Sequence, residues 1–271
     1  MSLKSIGWIK GGPNTLIDAL LEAVGEEGTI FIPAFTRYFP LPLSKSTRGD
    51  GIRPRWEGII PWEFVFDPIK TPPETGSVPV AMWKRSDSLR SRHPTNSVVA
   101  IGRLARYLTE GHDHNTSAFL PYERLVNIGG RGLFIGLDGR LVSLRHQGQY
   151  QAGLMHILPP LWGVRFLKED GSIGVYARRE WGCTKRLPEL NEEMVREGLI
   201  MEGMIGNAES MLVDAAGVVE TIANRLKEDP SINLCRRFLC LWCRELERKY
   251  DLYPKIQDPS IFQSSGAIRK V

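Results

Sequence analysis

A hydroxyl at Ser143, an imidazole at His146 and an amide at Gln149 recur every third residue in VSLRHQGQYQAG, residues 142–153. On a helix, positions three apart share a face, so these side chains fall along one stripe. Imidazole titrates in the range useful for taking a proton from an attacking nucleophile, which makes His146 a candidate general base. The other reading is a packed polar side chain. Gln149 occupies the position three residues on. An amide there can hold the ring by a hydrogen bond but brings no charge to stabilise an imidazolium.

Other groups invite the same weighing. His112 and His114 flank Asp113 in an HDHN turn, which needs further ligands to hold a metal and reads as a solvated loop. His156, in GLMHILP, reads as packed at a helix end. Cys235, Cys240 and Cys243 have C-x4-C-x2-C spacing, superficially that of an iron–sulfur site. They lie on an apolar stretch that reads as helix, and this favours cysteines acting as small hydrophobes. Cys183, in EWGCTKRLPEL, stands apart; a nucleophilic role has only Lys185 and Arg186 nearby to lower its thiol pKa. In SLRSRHPTNSVVAIG (88–102), Arg90, His93 and Ser97 gather at a loop-to-strand junction. Open α/β sheets bind ligands at such strand ends, although a charged turn is the alternative. Lys84, Arg85, Arg90 and Arg92 face only Asp87 in their segment, which suits a solvated loop or a phosphate contact equally.

The elements that must position these residues read as α/β. Gly11-Gly12-Pro13 leads into a helix carrying Leu16, Ile17, Leu20, Leu21 and Val24, stopped by Gly25, and GTIFIP (28–33) follows as a buried strand. Nine of the eighteen prolines fall within 33–79, together with Tyr38, Trp56 and Trp62. No long helix survives that density, and the aromatics suit an ordered loop covering a site. SVVAIG (97–102) and GLFIGL (132–137) read as strands; RLARYLTEG, PYERLVNIGG and 143–158 read as helices. GVRFLKEDGSIGVYAR (163–178) is a hairpin turning at Asp170-Gly171. From about residue 189 the chain reads as mostly helical, with 214–229 and 234–250 clearest. The expectation is one α/β domain over 1–271: a mostly parallel sheet flanked by helices, an antiparallel hairpin addition, and a long proline-rich loop at about 34–79.

Composition fits this. Hydrophobic residues make up 42% and charged residues 24%, with a net charge of +4. That balance suits an anionic cofactor but is too weak for nucleic acid. No apolar run reaches the roughly 20 residues that span a bilayer. Clustered cysteines without a secretory leader imply a reduced, cytoplasmic protein.

The stretches SLKSIGWIKGGPNTLIDALLEAVGEEGTIFIPAFT, SLRSRHPTNSVVAIG, PYERLVNIGGRGLFIG and SLRHQGQYQAG resemble, in this order, motifs of the aminoglycoside 3-N-acetyltransferase family. EWGCTKRLPEL and IGNAE resemble its weaker C-terminal elements, so the likeness covers roughly residues 2–225. The resemblance implies acetyl transfer from acetyl-CoA to an amine of an amino sugar, aminoglycoside or related small molecule, with no metal, nucleic acid or membrane and with homo-oligomerisation left open. Ser2, Lys4, Ser5 and Gly7 would bind the cofactor, with Arg90, His93 and Ser97 lining the cleft. Ser143 would sit near the thioester with His146 as general base, and Glu123 and Gln149 would meet the substrate.

Three departures qualify the likeness. The family pattern has an acid where Gln149 stands; Glu123, Asp138 or Glu180 would have to replace it from elsewhere. The chain begins inside the first motif, without the strand that precedes it in relatives: either the start is truncated relative to them or the sheet has lost a strand, which would expose an edge or gap. The basic balance favours an acceptor less cationic than an aminoglycoside. Two further readings stay open: a covalent mechanism through Cys183, and a catalytically weakened relative that serves as a binding or assembly protein.

Overall fold

The computed structural model describes residues 2–41, 43–45, 52–54, 63–137, 142–186, 190–235, 237 and 239–252. Trp56, Trp62 and Asp138 lie outside the described residues. After the short helix α1 (Leu3–Ile6), Pro13 opens α2 (Pro13–Val24), and Gly25 closes it with positive φ and its N–H on Leu21 O. Leu16 and Ile17 pin α2 to β1 (Thr29–Pro33), as the spacing predicts. Among its described residues the proline-rich stretch then holds only short pieces: β2 (Phe39–Pro40), β3 (Leu43–Lys45), β4 (Ile52–Pro54), β5 (Val65–Phe66) and the start of α3 (Ser77–Trp83).

Next come β6 (Leu89–Arg90), β7 (Val98–Gly102), α4 (Ala105–Thr109), α5 (Leu120–Asn127), β8 (Arg131–Ile135) and α6 (Val142–Gln151). The hairpin β9 (Trp162–Leu167) and β10 (Ile173–Arg178) pairs as expected, Ile173 opposite Leu167. Helix α7 (Asn191–Arg196) leads into a second hairpin, β11 (Ile200–Ile205) and β12 (Ala208–Asp214), in a tail that reads as helical from sequence. Helix α8 (Ala215–Glu228), a 3-10 turn at Pro230–Asn233 and α9 (Leu241–Tyr250) complete the described chain.

The mostly parallel sheet is not what forms. Among the described residues the strands make three sheets, in orders β1–β7–β6, β10–β9–β2 and β11–β12–β8, plus the β3–β4 pair. Every pairing is antiparallel except β5 with β9. The alternation of helices and short apolar strands suggests crossover units, but periodicity encodes neither a strand's partner nor its direction. Here β1 pairs with the distant β7 and β8 with the distant β12.

Two cores result. One gathers α2, α3, β1, β7 and Ile135 of β8. The larger one is built on α8, whose buried face runs Ala215, Val218, Val219, Ile222, Ala223 and Leu226. The valine, isoleucine and leucine side chains each contribute about 1.5–3 kcal/mol when fully buried. The N-cap carboxylate of Asp214 accepts the Gly217 N–H at 2.7 Å and fixes where α8 begins, a cap worth about 1 kcal/mol.

Candidate active site

Helix α6 carries the site, and a glycine decides how closely it seats. A Cβ at Gly148 would lie 2.6 Å from Ile222 Cγ2 and 3.2 Å from Val219 O, so only glycine lets α6 cross α8 this tightly. Leu144 packs into the same core. The opposite stripe presents Ser143, His146 and Gln149, and the helix ends sooner than the expected residue 158. His156 beyond it is exposed rather than packed, edge-on to Tyr150.

His146 is half-buried, and its Nδ1 lies 2.8 Å from Gln149 Oε1. Gln149 is fully buried and its orientation is fixed by its other end. Nε2 donates to Cys183 O at 2.6 Å and to Asn233 Oδ1 at 3.1 Å. A flipped amide would set an oxygen against that carbonyl. Oε1 therefore faces His146 and can only accept, so Nδ1 carries the proton and Nε2 keeps its lone pair. Burial lowers the imidazole pKa to about 4; Arg178 pushes the same way, and the Gln149 hydrogen bond partly opposes both.

The contacts around this pair come from the end of β10, the loop after it and the start of α5. A Cβ at Gly182 would fall 2.0 Å from Gln149 Oε1 and 2.7 Å from His146 Nδ1, so the bare backbone there makes room for the pair. Arg178 lies over Trp181, 4.4 Å from its ring centre, and over Tyr38 at 5.1 Å. Phe119 covers the imidazole at 5.8 Å between ring centres. The buried Tyr122 phenol is pushed up to about 12 by burial, with Ser143 drawing it partly back. A cavity of about 670 Å³ borders Gly182 and is walled by Trp162, Trp181, Lys185, Arg237 and Cys240. Arg178 and Asn233 escape a sequence reading because they lie far from 142–153 and carry no motif of their own, and Gly182, within EWGCTKRLPEL, carries no side chain to suggest a role.

Of the carboxylates expected to replace the missing acid, Glu123 is exposed on α5. Glu180 is buried, but both its oxygens take the Ala118 N–H, at 3.1 and 3.2 Å, ahead of α5. Gln149 is the group on Nδ1.

The cleft residues of 88–102 have internal tasks. Arg90 donates from Nε to Ser97 Oγ at 3.2 Å, from Nη2 to Ala34 O at 3.0 Å, and from Nη1 to Thr71 O and Pro68 O. Its guanidinium also lies over Phe66 and Trp83, and burial lowers its pKa to about 10. Ser97 is buried and donates to Ala34 O at 2.7 Å. His93 is fully buried, with Nδ1 accepting the N–H groups of Thr95 and Asn96. It stacks on His112 at 4.8 Å, so the HDHN turn is not the solvated loop expected: His112 is buried and its Nδ1 meets Ser91 Oγ at 2.9 Å. Burial is the first cause holding both imidazoles far below their ordinary range, His112 at about 3.

The N-terminal segment is ordered against the end of β8. Ser2 N donates to Ile135 O at 2.8 Å, Ser5 Oγ donates to Ser2 O at 2.8 Å, and Asn207 N reaches Ile6 O at 3.0 Å. Lys4 is exposed and Gly7 has a φ of 103°. Gly136, just past β8, leaves Ser5 its space, since a Cβ would overlap Ser5 Oγ.

The aminoglycoside 3-N-acetyltransferase family model matches residues 1–227. Aminoglycoside N(3)-acetyltransferase VIII of Streptomyces fradiae is 29% identical over 241 residues, 80% of this chain and 80% of its own. Among solved structures, a gentamicin complex of aminoglycoside acetyltransferase AAC(3)-IVa shares the fold at a TM-score of 0.70 and 22% identity, covering 91% of this chain and 87% of the other. A binary complex of AAC-IIIb with CoASH does so at a TM-score of 0.64 and 24% identity, covering 84% and 87%. No helix among the described residues is long and apolar enough to cross a membrane. With a family match spanning most of its length, the chain belongs to the aminoglycoside 3-N-acetyltransferase family of enzymes.

Proposed function

We propose that this protein transfers acetyl from acetyl-CoA to the amine of an amino sugar, an aminoglycoside or a related small molecule, with His146 as general base. One observation carries the reading: Gln149 Oε1 at 2.8 Å from His146 Nδ1, with Gln149 itself locked by Cys183 and Asn233. That lock leaves Nε2 unprotonated, and the lowered pKa keeps the ring neutral at physiological pH. The amine nitrogen attacks the thioester carbonyl while Nε2 takes its proton; the C–S bond then breaks, and the departing thiolate takes the proton back. The Ser143 hydroxyl, on the same stripe, donates to the developing oxyanion. Glutamine thus does the orienting part of a carboxylate's task, without the charge.

The segment Ser2–Gly7, with the exposed Lys4 available to meet an anion, is the cofactor contact in this reading. Glu123, exposed on α5, is left for an acceptor's ammonium group. Arg178 lies close enough to His146 to depress its pKa, and Lys185 and Arg237 border the neighbouring cavity. These cations favour an acceptor with few positive charges over a polycation. The test is mass-spectrometric detection of acetylated product from a panel running from mono-amino sugars to gentamicin-type polyamines, with acetyl-CoA as donor. Acetylation with higher kcat/KM for the less cationic acceptors is expected. No product with any amine, from protein that binds acetyl-CoA, refutes the proposal and favours the binding-protein reading.

A further inference from the structure

The four cysteines do not behave as separate hydrophobes. The expected helix over 234–250 is interrupted, with α9 starting only at Leu241. Cys183 arrives from the loop after β10, Cys235 from just past the 3-10 turn, Cys240 as the N-cap of α9 and Cys243 from its first turn. All four Sγ atoms lie within 4.8 Å of one another, and Cys235 and Cys243 are 3.5 Å apart. Burial alone never requires four sulfurs from three chain segments to converge on one point. A metal does. Four thiolates about one tetrahedral zinc, with Zn–S near 2.3 Å, stand about 3.8 Å from each other.

A backbone donor reinforces this. Cys235 N–H points at Cys243 Sγ, 3.4 Å away. Such N–H to sulfur contacts favour the thiolate and orient it, as outer groups do around structural metal centres. Lys185 and Arg237 line the same cavity as Cys240. The sulfurs are too close together for a multi-iron cluster, which sets its thiolates on separate irons at its outer corners.

We propose that Cys183, Cys235, Cys240 and Cys243 form a structural site for a single zinc ion. Cys183 lies inside, and Cys235, Cys240 and Cys243 lie beyond, the residues 1–227 that the family model matches. The site also reaches α6. Gln149 is held by the carbonyl of Cys183 and by Asn233, two residues before Cys235. Zinc therefore fixes both walls of the slot that orients Gln149, and through it His146. The metal assignment stands without the proposed acetyl transfer; only its bearing on His146 rests on that reading.

The test is elemental analysis of the full-length protein purified without an affinity tag that binds metal, paired with native thiol titration. About one zinc per chain is expected, with all four thiols protected until a mercurial releases the ion to a chromogenic chelator. Cys235→Ala should lose the zinc. Cys183→His, which keeps a metal-ligating nitrogen, should retain it, an outcome that hydrophobic packing does not predict. Folded protein without zinc and with freely alkylating thiols overturns the proposal. Iron at one per chain in place of zinc, or zinc retained in Cys235→Ala, overturns it as well. Zinc at one per chain with no acetyl transfer leaves the site standing and counts only against the catalytic reading.

Discussion

At the residue scale, Gln149 is matched to its slot rather than being a degraded acid. Its Nε2 faces two acceptors, Cys183 O and Asn233 Oδ1, while its Oε1 faces the imidazole. Gln149→Glu therefore does not restore a stronger base. A carboxylate would set an oxygen against two oxygens, and a stability loss on the order of 1–3 kcal/mol is expected in denaturant unfolding. Gln149→Ala frees the ring to take the wrong tautomer, lowering kcat on the order of 100-fold with little change in KM. Gly182→Ala should do similar damage, because its methyl would stand 2.7 Å from His146 Nδ1. In each case circular dichroism of the variant separates a local lesion from unfolding. Ser143, His146 and Gln149 are legible from their spacing on one helix. Gly182, Asn233 and Arg178 are not, because nothing local says which distant backbone will meet the imidazole.

At the element scale, helices with capping residues and apolar stripes are legible in the sequence, and so is the β9–β10 hairpin with its Asp-Gly turn. Sheet direction is not, nor is the β11–β12 hairpin hidden in a stretch that reads as helical. Partner choice for short strands is decided by long-range packing. Arg90 shows the same limit: a cation at a strand entrance reads as a ligand for phosphate, yet its donors hold the segments around Ala34, Pro68 and Thr71 to β6 and β7. Arg90→Met should lower the unfolding free energy by about 2–4 kcal/mol, since several buried carbonyls lose their donor at once. Thermal unfolding checks this; an unchanged Tm would mean the clamp contributes nothing.

At the scale of the whole molecule, three imidazoles are kept neutral inside the fold: His93, His112 and His146. Each has a folded pKa below the ordinary value of 6.5, so the unfolded chain binds the extra protons first. Stability is then fully present above about pH 6.5 and falls as the medium turns acid, by about 1.4 kcal/mol per pH unit for each imidazole involved. For His146 the loss runs down to about pH 4, and for His112 to about pH 3. Urea unfolding at pH 7.5 and 5.0 should show this drop, and His112→Gln should flatten it.

The central claim is that His146 removes the proton from the acceptor amine. It is tested most directly by coenzyme A thiol release at saturating acetyl-CoA and amine, comparing the native protein with His146→Ala. Amine-dependent turnover that falls by roughly 100- to 10,000-fold in the variant, with its acetyl-CoA affinity unchanged, is the predicted result. Equal turnover in the two proteins would contradict it.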